Sequence, residues 1–202
     1  MHRCILLLVV AAASVSAGEK AWNFDADKAG QIAAGFTGAV GRWEVVADES
    51  APSKPQALAQ LAKSEKPAYN IALAGDTRLQ DVDIAVKIKA VAGEIDQGGG
   101  LVWRAKDAQN YYVARFNPLE DNLRLYHIVA GKRTQLKSAE VELAKGWHTL
   151  RVTMQGDAIE CYIDGKKCLE AKDATLADAG AVGLWTKADA QTHFDDLTVS
   201  GK

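Results

Sequence analysis

Val82, Ile84, Val86 and Ile88 alternate with Asp83, Ala85, Lys87 and Lys89. A chain with this two-residue period buries one side of itself as an extended strand. Shorter runs of the same kind recur at 22–24, 42–47, 69–73, 101–105, 111–117, 122–129, 147–154, 158–163, 167–171, 181–185 and 193–199. Gly, Asn, Asp and Pro separate them at intervals of roughly ten residues, the spacing of an antiparallel sandwich or barrel. Helical signals are few: 56–63 (QALAQLAK) reads equally as helix or strand, and 174–179 suffices for one turn. With no linker, repeat or charge block after residue 17, the chain is expected to form a single all-β domain over residues 18–202.

The first 17 residues stand apart. His2 and Arg3 precede an apolar stretch, and Val15-Ser16-Ala17 supplies a cleavage-type ending, so residues 1–17 read as a signal peptide. The stretch is shorter than the roughly 20 apolar residues a spanning helix needs. Export to the periplasm or the extracellular medium is therefore expected, with no membrane span. One of the 24 Lys and Arg residues, Arg3, lies in this leader, which leaves 23 cations against 26 carboxylates and a formal charge of -3. So balanced a chain has no field to gather nucleic acid, and a monomer is the expected state.

Two cysteines remain after the leader, Cys161 and Cys168. A type I′ turn at Asp164-Gly165 would set them opposite each other on adjacent strands, about 5.5 Å apart at Cα and within disulfide range. A bond and two half-buried thiols are both open readings.

The densest chemistry lies between Asp96 and Tyr126 (DQGGGLVWRAKDAQNYYVARFNPLEDNLRLY). Three antiparallel strands are expected here, with loops at 106–110 and 118–121. Alternation puts Arg115 and Asn117 on one face of the second strand and Arg124 and Tyr126 on one face of the third, with Arg104 joining from the first. Guanidinium, amide and aromatic groups together recognise hydroxyl-rich rings: the first two hydrogen-bond vicinal hydroxyls, and the aromatic stacks on the apolar face of a sugar. The other reading is a solvated face whose Arg residues pair with Glu120 and Asp121. Gly98-Gly99-Gly100 heads a strand and marks a bulge or a close approach to the backbone.

Phe24-Asp25, Gly35-Phe36, Trp43, APSKP from Ala51, DQGGGLVWR, NYYVAR, NPLEDN, GKRTQL, GWHTL, DGKK and GLWTKADAQTHFDDL together resemble an exported bacterial family of 3-keto-disaccharide hydrolase-like domains. That family belongs to the concanavalin A-like lectin/glucanase superfamily, and the resemblance runs from about Trp22 to Val199. It implies a concanavalin A-like (LamG-like) jelly-roll sandwich of two antiparallel sheets, with a concave face suited to a glycan. It leaves open whether the chain binds or processes that glycan, or serves as a non-catalytic interaction module.

Glu94 and Asp96 share a strand-like spacing but lack the further acid that glucanases carry, since Gln97 and three glycines follow. They read as polar loop residues. Elimination from a 3-keto-glycoside would instead need a base and a cation to hold the enolate. His193, Asp195, Glu120 and Asp121 are the candidate bases, and Lys187 stands with the arginines as candidate electrophile and substrate contact. His148 reads as structural. Trp185 is either a stacking platform at the cleft or a core residue. No cofactor is required, although Asp25, Asp27 and Asp196 could together hold a structural Ca2+, with capping of backbone amides as the alternative.

Overall fold

The computed structural model of the chain describes residues 17–65 and 68–202. Apart from Ala17, the expected leader lies outside them. The described residues contain fifteen strands and no helix. An eight-stranded sheet has the order β13 (Lys166–Lys172), β12 (Ala158–Ile163), β11 (Trp147–Gln155), β6 (Val82–Ala92), β15 (Gln191–Gly201), β4 (Gln56–Gln60) and β3 (Trp43–Ala47), with β1 (Ala17–Trp22) also pairing with β15. A seven-stranded sheet has the order β10 (Lys132–Glu140), β9 (Asn122–Val129), β8 (Asn110–Asn117), β7 (Gly99–Asp107), β14 (Gly180–Lys187), β5 (Tyr69–Leu79) and β2 (Phe36–Val40). Every pairing is antiparallel. The architecture is the antiparallel sandwich that the strand spacing allows and the jelly-roll that the family resemblance implies.

Between the sheets lies one apolar core. Val82, Ile84, Val86 and Ile88 enter it from β6, as their alternation requires, and meet Trp103, Tyr112, Phe116 and Leu125 from the other sheet. The ambiguous segment from Gln56 is a strand, because Leu58 is fully buried in this core while its neighbours pair with β3 and β15. The polar segment β10 lacks apolar alternation because it forms the edge of its sheet, where Leu136 and Ala139 are partly buried against the core and most of the other side chains are exposed.

Several breaks in register change which side chains face where, and four of them bear on the expected positions. Arg104 sits in β7 at φ 47°, inside a register shift between Trp103 and Asp107. The irregularity turns its guanidinium to the end of the sandwich. There its nitrogens donate to the carbonyls of Gln80 (2.6 Å), Leu176 (2.9 Å) and Gly156 (2.7 Å). Arg104 therefore ties three connections together and does not join Arg115, contrary to the simple alternation.

A second break lies in the β12–β13 hairpin. Asp164 (φ 48°) and Gly165 (φ 79°) adopt the left-handed pair that a type I′ turn requires. Cys161 nevertheless pairs with Leu169, because the register shifts beside it. Cys161 is buried in the core, Cys168 is half-exposed, and both thiols are free. The bulge thus removes the opposed geometry on which a disulfide would depend. Similar shifts occur in β10, between Gln135 and Lys137, and in β15, between Asp195 and Thr198.

Arg104→Met keeps the side-chain bulk but strips three carbonyls of a charged donor. It is expected to lower stability by about 3 to 5 kcal/mol, read as a lower urea midpoint with an unchanged slope. A loss below about 1 kcal/mol would show that water replaces the guanidinium at those carbonyls.

Candidate functional site

The outer face of the seven-stranded sheet carries a second cluster, of Ile71, Val102, Tyr111, Val113, Tyr126, Ile128 and Trp185. Trp185 donates its indole N–H to the Tyr111 hydroxyl (3.0 Å) and packs against Tyr69 with centroids 5.4 Å apart. Arg133 of β10 lies over the Tyr126 ring (4.5 Å) and also over the Tyr69 ring (5.6 Å). β10 and β5 are five strand intervals apart, about 24 Å across a flat sheet. One guanidinium can touch both only if the sheet curls, so this face is strongly concave. Its aromatic floor is roofed by Tyr69 and Arg133, which is why Trp185 is fully buried.

Beside this aromatic half lies a charged half. Arg115 and Arg124 stand directly opposite each other across β8 and β9, and Asn117 faces Asn122. Like charges in that register repel, and two carboxylates offset them. Asp96, 1% exposed, accepts Arg115 Nη2 (3.0 Å) and Asn117 Nδ2 (2.9 Å) on one oxygen and Lys187 Nζ (2.6 Å) on the other. Glu120 Oε2 takes Arg124 Nη1 at 2.7 Å and lies 3.4 Å from Arg115. Burial pushes the Glu120 carboxyl up, but the Asn122 hydrogen bond and the two guanidiniums outweigh it and hold the group below the usual carboxylate range.

Asp96 owes its position to a loop. Asp189 accepts the backbone N–H groups of Glu94, Ile95 and Asp96 at 2.7 to 3.1 Å, which curls residues 94–96 and turns the Asp96 carboxylate onto the sheet. The glycines that follow bring the strands together. A Cβ on Gly98, Gly99 or Gly100 would overlap the carbonyl oxygens of Phe116, Trp185 and Ala114 respectively. The close approach that this glycine run announces is therefore that of neighbouring strands.

Six of the seven expected substrate contacts, Arg115, Asn117, Arg124, Tyr126, Trp185 and Lys187, share this concave face, and Arg104 does not. Asp96, read from the sequence as a polar loop residue, joins them, as do Arg133, Tyr111 and Tyr69, which were not singled out. Donors remain unused: Arg115 Nε, Arg124 Nε and Arg133 Nη1 are buried and have no partner. At the rim Glu120 keeps 39% of its side-chain surface exposed, Arg124 32% and Lys187 13%.

The expected bases do not converge. His193 and Asp195 project from the outer face of the other sheet, where they anchor the loop that follows β3. His193 Nδ1 is 2.7 Å from Asp48, which also holds Lys89 and Ser50. Asp195 accepts the Ser53 amide and hydroxyl, both at 2.8 Å. Glu120 is on the opposite side of the sandwich. Asp25 accepts the Gln56 amide and Asp27 the Ala34 amide, so both cap backbone, and among the described residues no group of three His, Cys, Asp or Glu side chains is arranged to hold a metal. His148 bridges Asp164 and the Ala144 carbonyl, a structural position.

The family model described as galactocerebrosidase, C-terminal lectin domain, matches residues 40–202. No curated protein sequence matches the chain. Among solved structures, carbohydrate-binding module CBM66 from Bacillus subtilis is similar at 19% identity and a TM-score of 0.70, over 83% of this chain and 96% of that one. Domain 4 of AbnA, a GH43 extracellular arabinanase from Geobacillus stearothermophilus solved with arabinotriose, is similar at 13% identity and a TM-score of 0.61, over 90% of each chain. Cellulose-induced protein Cip1 is similar at 11% identity and a TM-score of 0.59, over 91% and 97%. These likenesses are likenesses of fold. Among the described residues no helix is long and apolar enough to cross a membrane.

Burial pushes the His193 imidazole down, and the Asp48 carboxylate only partly offsets it, leaving its pKa below 6.5. The unfolded chain then takes up a proton first on acidification, so stability present at neutral pH is lost as pH falls through about 6.5. Asp195 is shifted the other way, above 3.8, by burial that the Ser53 hydrogen bonds do not cancel. Its stabilisation is full at low pH and fades as pH rises through the raised value, so it opposes His193 in the acid range. His193→Gln should flatten the decline of stability between neutral pH and about 5.5, a slope of at most about 1.4 kcal/mol per unit for one proton. An unchanged slope in pH-resolved urea unfolding would assign the decline to other groups.

Proposed function

The chain belongs to the galactocerebrosidase C-terminal lectin domain family, a carbohydrate-binding jelly-roll, and on that premise we propose that it is an exported, monomeric module that binds a neutral glycan at the charged half of its concave face, without turnover. The observation that carries this reading is the buried Asp96 with its three donors, Arg115, Asn117 and Lys187. A fully hydrogen-bonded carboxylate fixes the buried Arg115 and Asn117 and, with them, Lys187 at the rim, so the accessible edge of the site is preformed and little ordering entropy is lost on binding. Arg124 and Lys187, 32% and 13% exposed, are the donors that sugar hydroxyls can reach. Glu120, reachable at the rim, is the matching acceptor.

Tyr69 and the Arg133 guanidinium plane, both half-buried, supply the wall against which one face of a ring can lie. The relatives support the ligand class: one is described as a carbohydrate-binding module and another was solved with arabinotriose. No contact in this recognition calls on a metal, so chelation of divalent ions should leave affinity unchanged.

Elimination on a 3-keto-glycoside, the reaction implied by the resemblance to 3-keto-disaccharide hydrolases, asks for a base next to the cations. Of His193, Asp195 and Glu120, only Glu120 stands on this face. Its carboxyl is held below the usual range, which makes it a poor proton acceptor and a good hydroxyl acceptor. Binding without chemistry therefore fits this site better.

Calorimetric titration with arabinotriose and with a galactose-terminated oligosaccharide tests the reading. Arg124→Ala is expected to weaken the better ligand about five- to twentyfold, the loss of one charged hydrogen bond, while Arg42→Ala, on a surface ion pair, leaves it unchanged. Product formation from 3-keto-glycosides would overturn the non-catalytic reading. Tighter binding of a uronate-terminated oligosaccharide would overturn the neutral one.

A further inference from the structure

On the other side of the molecule, β15 is interrupted at its centre. Asp195 pairs with Lys87, but the register then shifts and Thr198 pairs with Ala85. The extra residue, Asp196, has φ 46°. In unbroken alternation Asp195 would face outward and Asp196 would enter the core beside Phe194 and Leu197. The bulge instead sends both carboxylates to the outer face. Asp195 is consumed by Ser53, whereas the Asp196 carboxylate makes no hydrogen bond or ion pair to any described residue. A left-handed backbone at a non-glycine position in a central strand is strain that the fold retains.

The aspartate opens onto a trough of about 590 Å3, within the size range of small-ligand sites. Its floor is a row of small side chains running across three strands, Ala21, Thr198 and Ala85. Lys87, hydrogen-bonded to Thr149 (2.8 Å), forms one wall, and Trp22 and Asn23 form the other.

We infer that this trough is a second binding site, for a single neutral sugar ring, on the sheet opposite the concave face. The donor set selects the class. Asp196 can accept two adjacent hydroxyls, Lys87 donates to a ring or hydroxyl oxygen, and Thr149, Thr198 and Asn23 can both donate and accept. The flat floor admits a ring close to the sheet. An anion would meet the Asp196 charge, and a cation would find one carboxylate opposed by an ammonium, too few oxygens for a divalent ion. The site is independent of the concave one, since no residue is shared and a packed core separates them. A single chain with a site on each outer face can bridge two glycan chains.

The test is a series of 1H–15N spectra of the described chain titrated with the methyl glycosides of galactose, glucose and arabinose to high millimolar concentration. Saturable shifts are expected at the amides of Ala85, Lys87, Asp196 and Thr198. Asp196→Asn keeps a residue that tolerates the left-handed backbone, and it should weaken binding at these amides at least about fivefold while any shifts at Arg115 and Asn117 stay as they were. Lys87→Met, at an unstrained position, should weaken it likewise. Trough amides that do not move with any of the three sugars, or that titrate identically in both variants, overturn the inference. Failure of the concave site is read separately, from the Arg115 and Asn117 amides.

Discussion

A single buried carboxylate organises the concave face. Asp96 receives hydrogen bonds from Arg115 and Asn117 on β8 and from Lys187 at the end of β14, and so links two strands of the seven-stranded sheet to the loop entering a third. The buried Arg115 and the largely covered Lys187 would, without that partner, carry a desolvation cost the sheet could not sustain. The partner is itself held in place, because the Asp189 carboxylate collects three successive amides of the Asp96 loop. Asp189 follows β14, the strand that ends in Lys187, so one connection supplies both the ammonium and the cap. Glu120 then answers the remaining repulsion between Arg115 and Arg124.

The sandwich itself was legible in the chain because its period-two runs are bounded by turn residues. Most paired strands of both sheets fall where alternation and spacing put them, whereas β1 spans Ala17–Trp22 against an expected run at 22–24. What escaped were segments in which burial does not act on alternate residues: β10, a polar edge, and β2, whose first two residues pair with β5 before the register shifts. The bulges escaped too, and they matter more. Alternation assigns each side chain a face by counting from its neighbours, so one extra residue reverses every later assignment in that strand. Arg104, Cys168 and Asp196 each stand at or next to such a residue, and nothing in the local composition marks them.

Within the site, the same logic separates what could be read from what could not. Arg115, Asn117, Arg124 and Tyr126 follow from a hairpin whose four-residue loop sets the register, so local sequence suffices. Asp96 reaches Lys187 across 91 residues of chain, and only the strand order makes β7 and β14 neighbours. The placement of His193 and Asp195 depends on that order as well: β15 lies at the centre of the eight-stranded sheet, which puts its outward residues on the far side from Glu120. Proximity of acidic and basic residues in the list of amino acids carried no information about which sheet they occupy.

The two outer faces differ in a way that bears on what each can hold. On the concave face the floor is filled with Trp185, Tyr111 and Tyr126, and the guanidinium of Arg133 spans the curl from β10 to Tyr69, so a ligand is met by the rim of Glu120, Arg124 and Lys187. On the other face the floor is Ala and Thr, the walls are polar, and the curvature that closes one surface leaves its counterpart open. Both arrangements leave the core between the sheets untouched. Core packing can thus stay fixed while each outer face changes its side chains, since in a strand the inward and outward residues alternate and answer to different constraints.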